Sequence, residues 1–339
     1  MPAKEKSPAK ASLQAASECL PWHKPLQRDL MLLHARAALH PALLFCAQRD
    51  TGKQRFAHSF AAQLVCQQPL RANETESSVA CGQCRACELF RAGTHPDYHW
   101  VDVPESRQTI GINEVRALID KLQLSAQLGG AKVAIITCCE LLTESASNAL
   151  LKALEEPSAN TWFLLLAESR RSVLPTIASR SQCVHLPLPA EREVVAWLAR
   201  YSDAPAAESA IRRARGFPER ALAIVQGNFD PGRLDEFAEQ LCSAAMTPQA
   251  LAAKLERDEL EPFLDSLSLR LLALQRRSAL AGGSQAHNAG EPMLSAAALQ
   301  ELGAVVLELR RSLPRSPNLK LCLESLAYQF QRIWHSKLV

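Results

Sequence analysis

Up to about residue 187 the chain alternates short apolar runs with segments of helical period, and this alternation limits the possible folds more than any other feature. Ala42-Leu43-Leu44-Phe45-Cys46 reads as a buried strand, followed by a loop and a helix from about Lys53 to Val65. Tyr98–Val103 is a second strand candidate. Ile112, Val115, Leu118, Ile119 and Leu122 form a helical stripe over 112–124. Val133–Ile136 is a third strand, Ser145–Glu155 a helix that stops at Pro157, Trp162–Ala167 a fourth strand and Cys183–Leu186 a fifth. Strands alternating with helices imply parallel pairing with helices on both faces.

The loop after the first strand, Ala47-Gln48-Arg49-Asp50-Thr51-Gly52-Lys53-Gln54, is set against the phosphate-binding pattern G-x-x-x-x-G-K-[ST]. Gly52 and Lys53 are kept. Ala47 replaces the opening glycine, so backbone N–H groups approach a phosphate less easily. Gln54 replaces the hydroxyl residue that would ligate Mg²⁺. The third strand runs into Thr137-Cys138-Cys139, with the first acid only at Glu140, where a working site needs a carboxylate to hold the metal. A plain turn and helix start would also read this way, but the position after a buried strand favours a decayed phosphate loop. Weak, non-productive binding through Lys53 stays open; hydrolysis is not expected.

Cys66, Cys81, Cys84 and Cys87 interrupt this region with the spacing C-x14-C-x2-C-x2-C. Four thiolates suit a tetrahedral zinc and leave no position for a catalytic water, so the metal would be structural. An iron–sulfur site, disulfides and free thiols are the other readings. The first is weakened by the lack of a following Cys-Pro, the second by an N-terminus without an apolar secretion signal. Cys19, Cys46, Cys138, Cys139, Cys183, Cys242 and Cys322 are scattered, mostly in apolar runs, as small core residues in a reducing cytoplasm would be. A net charge of +3 is too small to argue for nucleic acid by itself, and aromatics at 5% weaken base-stacking readings. No uninterrupted apolar stretch approaches the roughly 18 residues of a membrane span.

The segments Gly129-Gly130-Ala131-Lys132-Val133 and Leu150-Leu151-Lys152-Ala153-Leu154-Glu155-Glu156-Pro157, with Thr176-Ile177-Ala178-Ser179-Arg180-Ser181, resemble the AAA+ clamp-loader subunits of bacterial DNA polymerase III. The cysteine group, Thr94-His95-Pro96-Asp97-Tyr98 and the damaged loop point to a family member that no longer turns over ATP. The resemblance covers about residues 20–190. It implies an α/β P-loop-type (AAA+) domain with a parallel sheet and an inserted zinc knuckle, then a small helical lid and an all-α collar. It also implies that Arg180 is an arginine finger reaching ATP bound by a neighbouring subunit, with Ser179 positioning it. Ser181 stands where the family motif has Cys. Cys66, Cys81, Cys84 and Cys87 match the family's zinc ligands. The polar residue that senses γ-phosphate aligns with Ala167, and the second-domain arginine aligns with Glu219, which would repel phosphate.

On this reading residues 1–18 are a disordered extension, 19–188 the core with its knuckle at about 66–87, 189–229 the lid and 230–339 the collar. Lid helices are expected at Arg192–Tyr201, Glu208–Ala214 and Arg220–Gln226. A flexible break is expected at Ala281–Pro292, and Leu319, Leu321, Leu323, Leu326 and Phe330 give the last helix a broad apolar face. The histidines lack ligand spacing, and Arg212, Arg213, Arg276 and Arg277 read as solvated helix faces. The implied partners are gamma/tau and delta clamp-loader subunits, the beta sliding clamp and, through the complex, primed DNA in the cytoplasm, with no membrane. Two rivals remain: an active gamma/tau-type ATPase, and a zinc-dependent DNA-binding module that would bind DNA tightly on its own.

Overall fold

The computed structural model describes residues 18–70, 79–104, 107–243, 245–256, 259–281, 295–312 and 318–336. The N-terminal extension and most of the expected break at Ala281–Pro292 lie outside these residues. The chain divides into two compact units, Met1–Gln226 and Gly227–Val339.

Five strands form the first unit's sheet: β1 (Ala42–Cys46), β2 (Tyr98–Val101), β3 (Lys132–Ile136), β4 (Thr161–Ala167) and β5 (Gln182–His185). Their order is β2-β3-β4-β1-β5 and every pairing is parallel. The expected strands are all present, with β2 ending at Val101 rather than Val103 and β5 displaced by one residue. β1 and β3 are buried along their whole length. Successive side chains of a strand enter opposite faces, and here each face has its own core. Leu43, Phe45, Val133, Ile135, Leu164 and Leu166 pack in one cluster with Phe56 and Phe60. Ala42, Leu44, Ala134, Ile136, Phe163 and Leu165 pack in the other with Val115, Leu118 and Leu150.

The helices of this unit begin with α1 (Lys24–Ala35), α2 (Lys53–Leu64) and α3 (Arg85–Arg91). They continue with α4 (Ile112–Gln123), α5 (Glu144–Glu155) and the single turn α6 (Pro175–Ala178). Thr143 caps α5 by accepting from the Ala146 N–H, and Leu150 and Leu154 anchor its inner face. Three further helices, α7 (Glu191–Leu198), α8 (Ala204–Arg213) and α9 (Pro218–Val225), surround a separate cluster of Val194, Trp197, Leu198, Ile211 and Leu222. Leu20 and Trp22 join that cluster from before α1. Helix α8 starts four residues earlier than expected, because Asp203 caps it through the Ala206 N–H ahead of Pro205.

The second unit is helical in its described residues: α10 (Pro231–Cys242), α11 (Pro248–Lys254), α12 (Leu260–Ala281), α13 (Ala296–Ser312) and α14 (Leu319–Ser336). Leu234, Phe237, Phe263, Leu267, Leu302, Leu323, Leu326 and Phe330 share its core. Leu321 corrects the expected broad face of the last helix: it is 63% exposed, because two residues before Leu323 the helix has turned about 200° away from the core. Among the described residues no helix is long and apolar enough to cross a membrane.

Candidate functional site

The loop from Ala47 to Lys53 joins β1 to α2, where a phosphate would sit over the helix N-terminus. The side chains of Arg49, Asp50, Thr51 and Lys53 in it already have partners from this chain. Lys53 is only 8% exposed, and its Nζ donates to the Ala47 carbonyl at 2.9 Å. Thr51 Oγ1 donates to the Gln48 carbonyl at 2.7 Å. Asp50, in the left-handed region at φ 58°, accepts from Arg220 Nε at 3.1 Å and Nη2 at 2.9 Å. Arg220 belongs to α9 and also stacks over Phe217, 4.8 Å from the ring centroid. Gly52 has φ 93°, and a Cβ built there would lie 2.2 Å from Leu20 Cδ1, so glycine is required both by its conformation and by the leucine against it.

The position expected to repel phosphate has found a cation. Glu219 lies 3.5 Å from Arg55 Nε, an ion pair without hydrogen-bond geometry, and its backbone N–H donates to the Asp50 carbonyl. Burial holds the Glu219 carboxyl above its ordinary range, opposed by the Arg55 guanidinium. Burial likewise raises Glu140, against the pull of Lys53 and Arg49. At the end of β3, Thr137 Oγ1 donates to Asp102 Oδ1 at 2.7 Å, so the carboxylate beside that strand comes from the residue just past the neighbouring β2. Ala167, at the end of β4, is wholly buried and offers no polar atom from its side chain.

Arg180 stands apart from this loop, immediately beyond α6. Pro175 opens that turn, Ile177 and Ala178 seat it on the same core cluster as α5, and Ser179 closes it. Arg180 Nε donates to Glu155 Oε1, and Nη1 donates to the Thr176 carbonyl at 3.1 Å and Ser179 Oγ at 3.4 Å. Ser179 Oγ itself donates to the Thr176 carbonyl at 3.0 Å. The Arg180 side chain remains 35% exposed, and among the described residues Nη2 has no acceptor.

The four expected ligand cysteines come together. Their Sγ atoms all lie within 4.8 Å of one another, with Cys66–Cys81 at 3.7 Å, Cys81–Cys87 at 3.9 Å and Cys66–Cys84 at 4.0 Å. A tetrahedron with Zn–S bonds of about 2.3 Å has sulfur–sulfur edges of about 3.8 Å, so the donor set fits that ion in both chemistry and spacing. None of the four is in a disulfide. The Cys81 N–H points to Cys66 Sγ and the Cys84 N–H to Cys81 Sγ, each at 3.3 Å, contacts that favour thiolates. Burial works to raise the Cys84 thiol, but hydrogen bonds outweigh it and bring the group down to about 6. Burial and the adjoining Cys84 sulfur push Cys87 up.

Sequence reasoning found Lys53 and the cysteines through motif spacing, and Arg180 through the family resemblance. It missed the roles of Leu20, Asp50, Asp102 and Arg220, which depend on contacts between distant segments. Glu155 lay within a recognised string, yet nothing in that string named Arg180 as its partner. His95 and Asp97, also in a recognised string, are structural: Asp97 accepts the Gln127 and Leu128 N–H groups at 2.8 and 3.0 Å.

A parallel α/β unit with a Gly-Lys loop after its first strand, followed by helices, has the layout of the phosphate-loop class, here with the lysine bonded back onto its own loop. Residues 23–190 match the family described as DNA polymerase III, delta subunit. DNA polymerase III subunit delta' of Escherichia coli strain K12 is 36% identical over 285 residues, 81% of each chain. The Pseudomonas aeruginosa subunit of the same name is 40% identical over 184 residues, covering 54% of this chain and 53% of its own. DNA polymerase III subunit tau/gamma of Haemophilus influenzae is 30% identical over 200 residues, covering 55% of this chain and 28% of its own. The chain belongs to the DNA polymerase III delta-prime subunit family.

Proposed function

We propose that this chain is a non-hydrolysing, stator-like subunit of the DNA polymerase III clamp loader, giving Arg180 in trans to ATP held by a neighbouring gamma/tau subunit. The contrast between two cations carries the reading. Lys53 is turned back onto Ala47 and nearly buried, whereas Arg180 is held on a core-seated turn, partly exposed, with Nη2 left without an acceptor among the described residues. A guanidinium is permanently charged and forks onto phosphate oxygens, so it can stabilise charge developing on a transferred γ-phosphoryl group. Ser179 steadies it through Oγ.

In this assignment residues 19–188 act as the core, 189–229 as a lid and 230–339 as a collar joining the subunits. The partners are gamma/tau and delta subunits and the beta clamp, with primed DNA reached through the complex. Cys66, Cys81, Cys84 and Cys87 would hold one structural zinc, whose bonds replace the apolar core that so short a segment lacks.

The test is ATP turnover by the reconstituted complex on primed DNA with clamp, comparing wild type with Arg180→Ala. Turnover should fall several-fold or more, while the isolated chain turns over no ATP. Normal turnover with Arg180→Ala would remove the finger assignment, and turnover by the isolated chain would remove the non-hydrolysing one.

A further inference from the structure

Arg180 has five N–H donors in one plane, and the way they are shared decides what the side chain can offer a neighbour. Nε is taken by Glu155, and Nη1 by the Thr176 carbonyl and Ser179 Oγ. These contacts hold two of the three nitrogens of a rigid plane and so fix its orientation. Nη2 is the nitrogen left without an acceptor among the described residues.

The two residues of the ion pair rest on separate helices that share one core. Glu155 is the last residue of α5, directly after Leu154, which is 3% exposed. Arg180 follows α6, whose Ile177 is fully buried in the cluster that also holds Leu150 and Leu154. The backbone at both ends of the pair is therefore anchored by packed neighbours. Glu155 is 48% exposed, so the pair is too solvated to contribute much to global stability. Its effect is local: it removes rotamers of a long side chain before a ligand arrives.

We propose that Glu155 is a positioning residue for Arg180, holding Nε so that Nη2 is presented outward to the γ-phosphate of a nucleotide bound by the neighbouring subunit. This rests on the finger assignment and adds a specific element to it: the acceptor oxygen of Glu155 matters more than its charge. The carboxylate stays with the guanidinium during engagement, because Nη2 can meet a phosphate oxygen without giving up the Nε contact.

The experiment compares Glu155→Ala, Glu155→Gln, Arg180→Ala and the double variant Glu155→Ala/Arg180→Ala in the reconstituted complex. Each must first be shown to assemble and to melt near wild type. Glu155→Ala should lower kcat for ATP by at least threefold with little change in KM. Glu155→Gln, which keeps an acceptor oxygen, should return to within twofold of wild type. The double variant should be no slower than Arg180→Ala. In the isolated chain, the Arg180 Nε–H resonance should be protected from solvent exchange in wild type and Glu155→Gln and lose that protection in Glu155→Ala.

Wild-type kcat for Glu155→Ala, equal losses for Ala and Gln, or additive losses in the double variant would each overturn the proposal while Arg180→Ala still slows turnover. If Arg180→Ala leaves turnover unchanged, the finger assignment fails first and the positioning role falls with it. The exchange measurement then reports separately whether the pair itself exists.

Discussion

At the scale of single residues, the Ala47–Lys53 loop is held by groups that lie far away in the chain. Asp50 and Arg220 are 170 residues apart, and the Arg220 side chain is 8% exposed against 38% for Asp50. Arg220→Ala should therefore cost about 1–3 kcal/mol in urea denaturation, less than a fully buried pair because Asp50 keeps solvent contact. Gly52→Ala should cost on the order of 1–3 kcal/mol, combining a left-handed backbone with displacement of Leu20. A midpoint unchanged from wild type would mean that Leu20 does not rest on the loop. Gly52 and Lys53 were legible because the motif fixes their order after an apolar strand. The meaning of Asp50 was not, since a charge within a loop carries no sign of which distant cation it will meet.

Elements were legible where local pattern and tertiary role agree. β1 and β3 are unbroken apolar runs because helices cover both faces, and their ends fall within a residue of the expected ones. Helix α1 went unread: Lys24, Pro25, Gln27, Arg28 and Asp29 make its first turns look like a polar connector, although Leu30 and Met31 are buried. Helix α3 is seven residues long, starts directly after Cys84 and carries Cys87, so ligand spacing masked it. Metal analysis of the purified chain should find about one zinc per chain, and Cys84→Ser should lose it and open the 66–87 segment to protease. Iron, or no metal, would sink the zinc assignment. Helix α2 adds a pH dependence. Burial beside Phe90, Tyr98 and Trp100 pushes the His58 imidazole down to about 4, well below an unfolded value near 6.5. The unfolded chain binds the proton first, so this contribution is complete above about pH 6.5 and lost as pH falls toward 4. The urea midpoint should drop through that window, and less steeply in His58→Asn. That difference separates the ring from acid release of metal at the cysteines.

For the whole molecule, millimolar MgATP should move the thermal midpoint of the isolated chain by less than about 1 °C. Nucleotide at a hundred times its dissociation constant would stabilise by about 2.7 kcal/mol, a plainly visible shift. Such a shift would mean that Lys53 exchanges the Ala47 carbonyl for phosphate. The division into a sheet-bearing unit and a helical unit was legible as a change from mixed to helical period near residue 190. The compact boundary nevertheless falls at Gly227, because three helices after the sheet belong with the first unit. Leu20 belongs with them too: it comes before the first strand yet packs in their core and against Gly52. One side chain thus carries the stiffness of that small core onto a loop that, in an ATP-driven machine, would rearrange at every turnover. On the function proposed above, that loop is set once, at folding, and does not track the cell's energy charge: a clasp rather than a sensor.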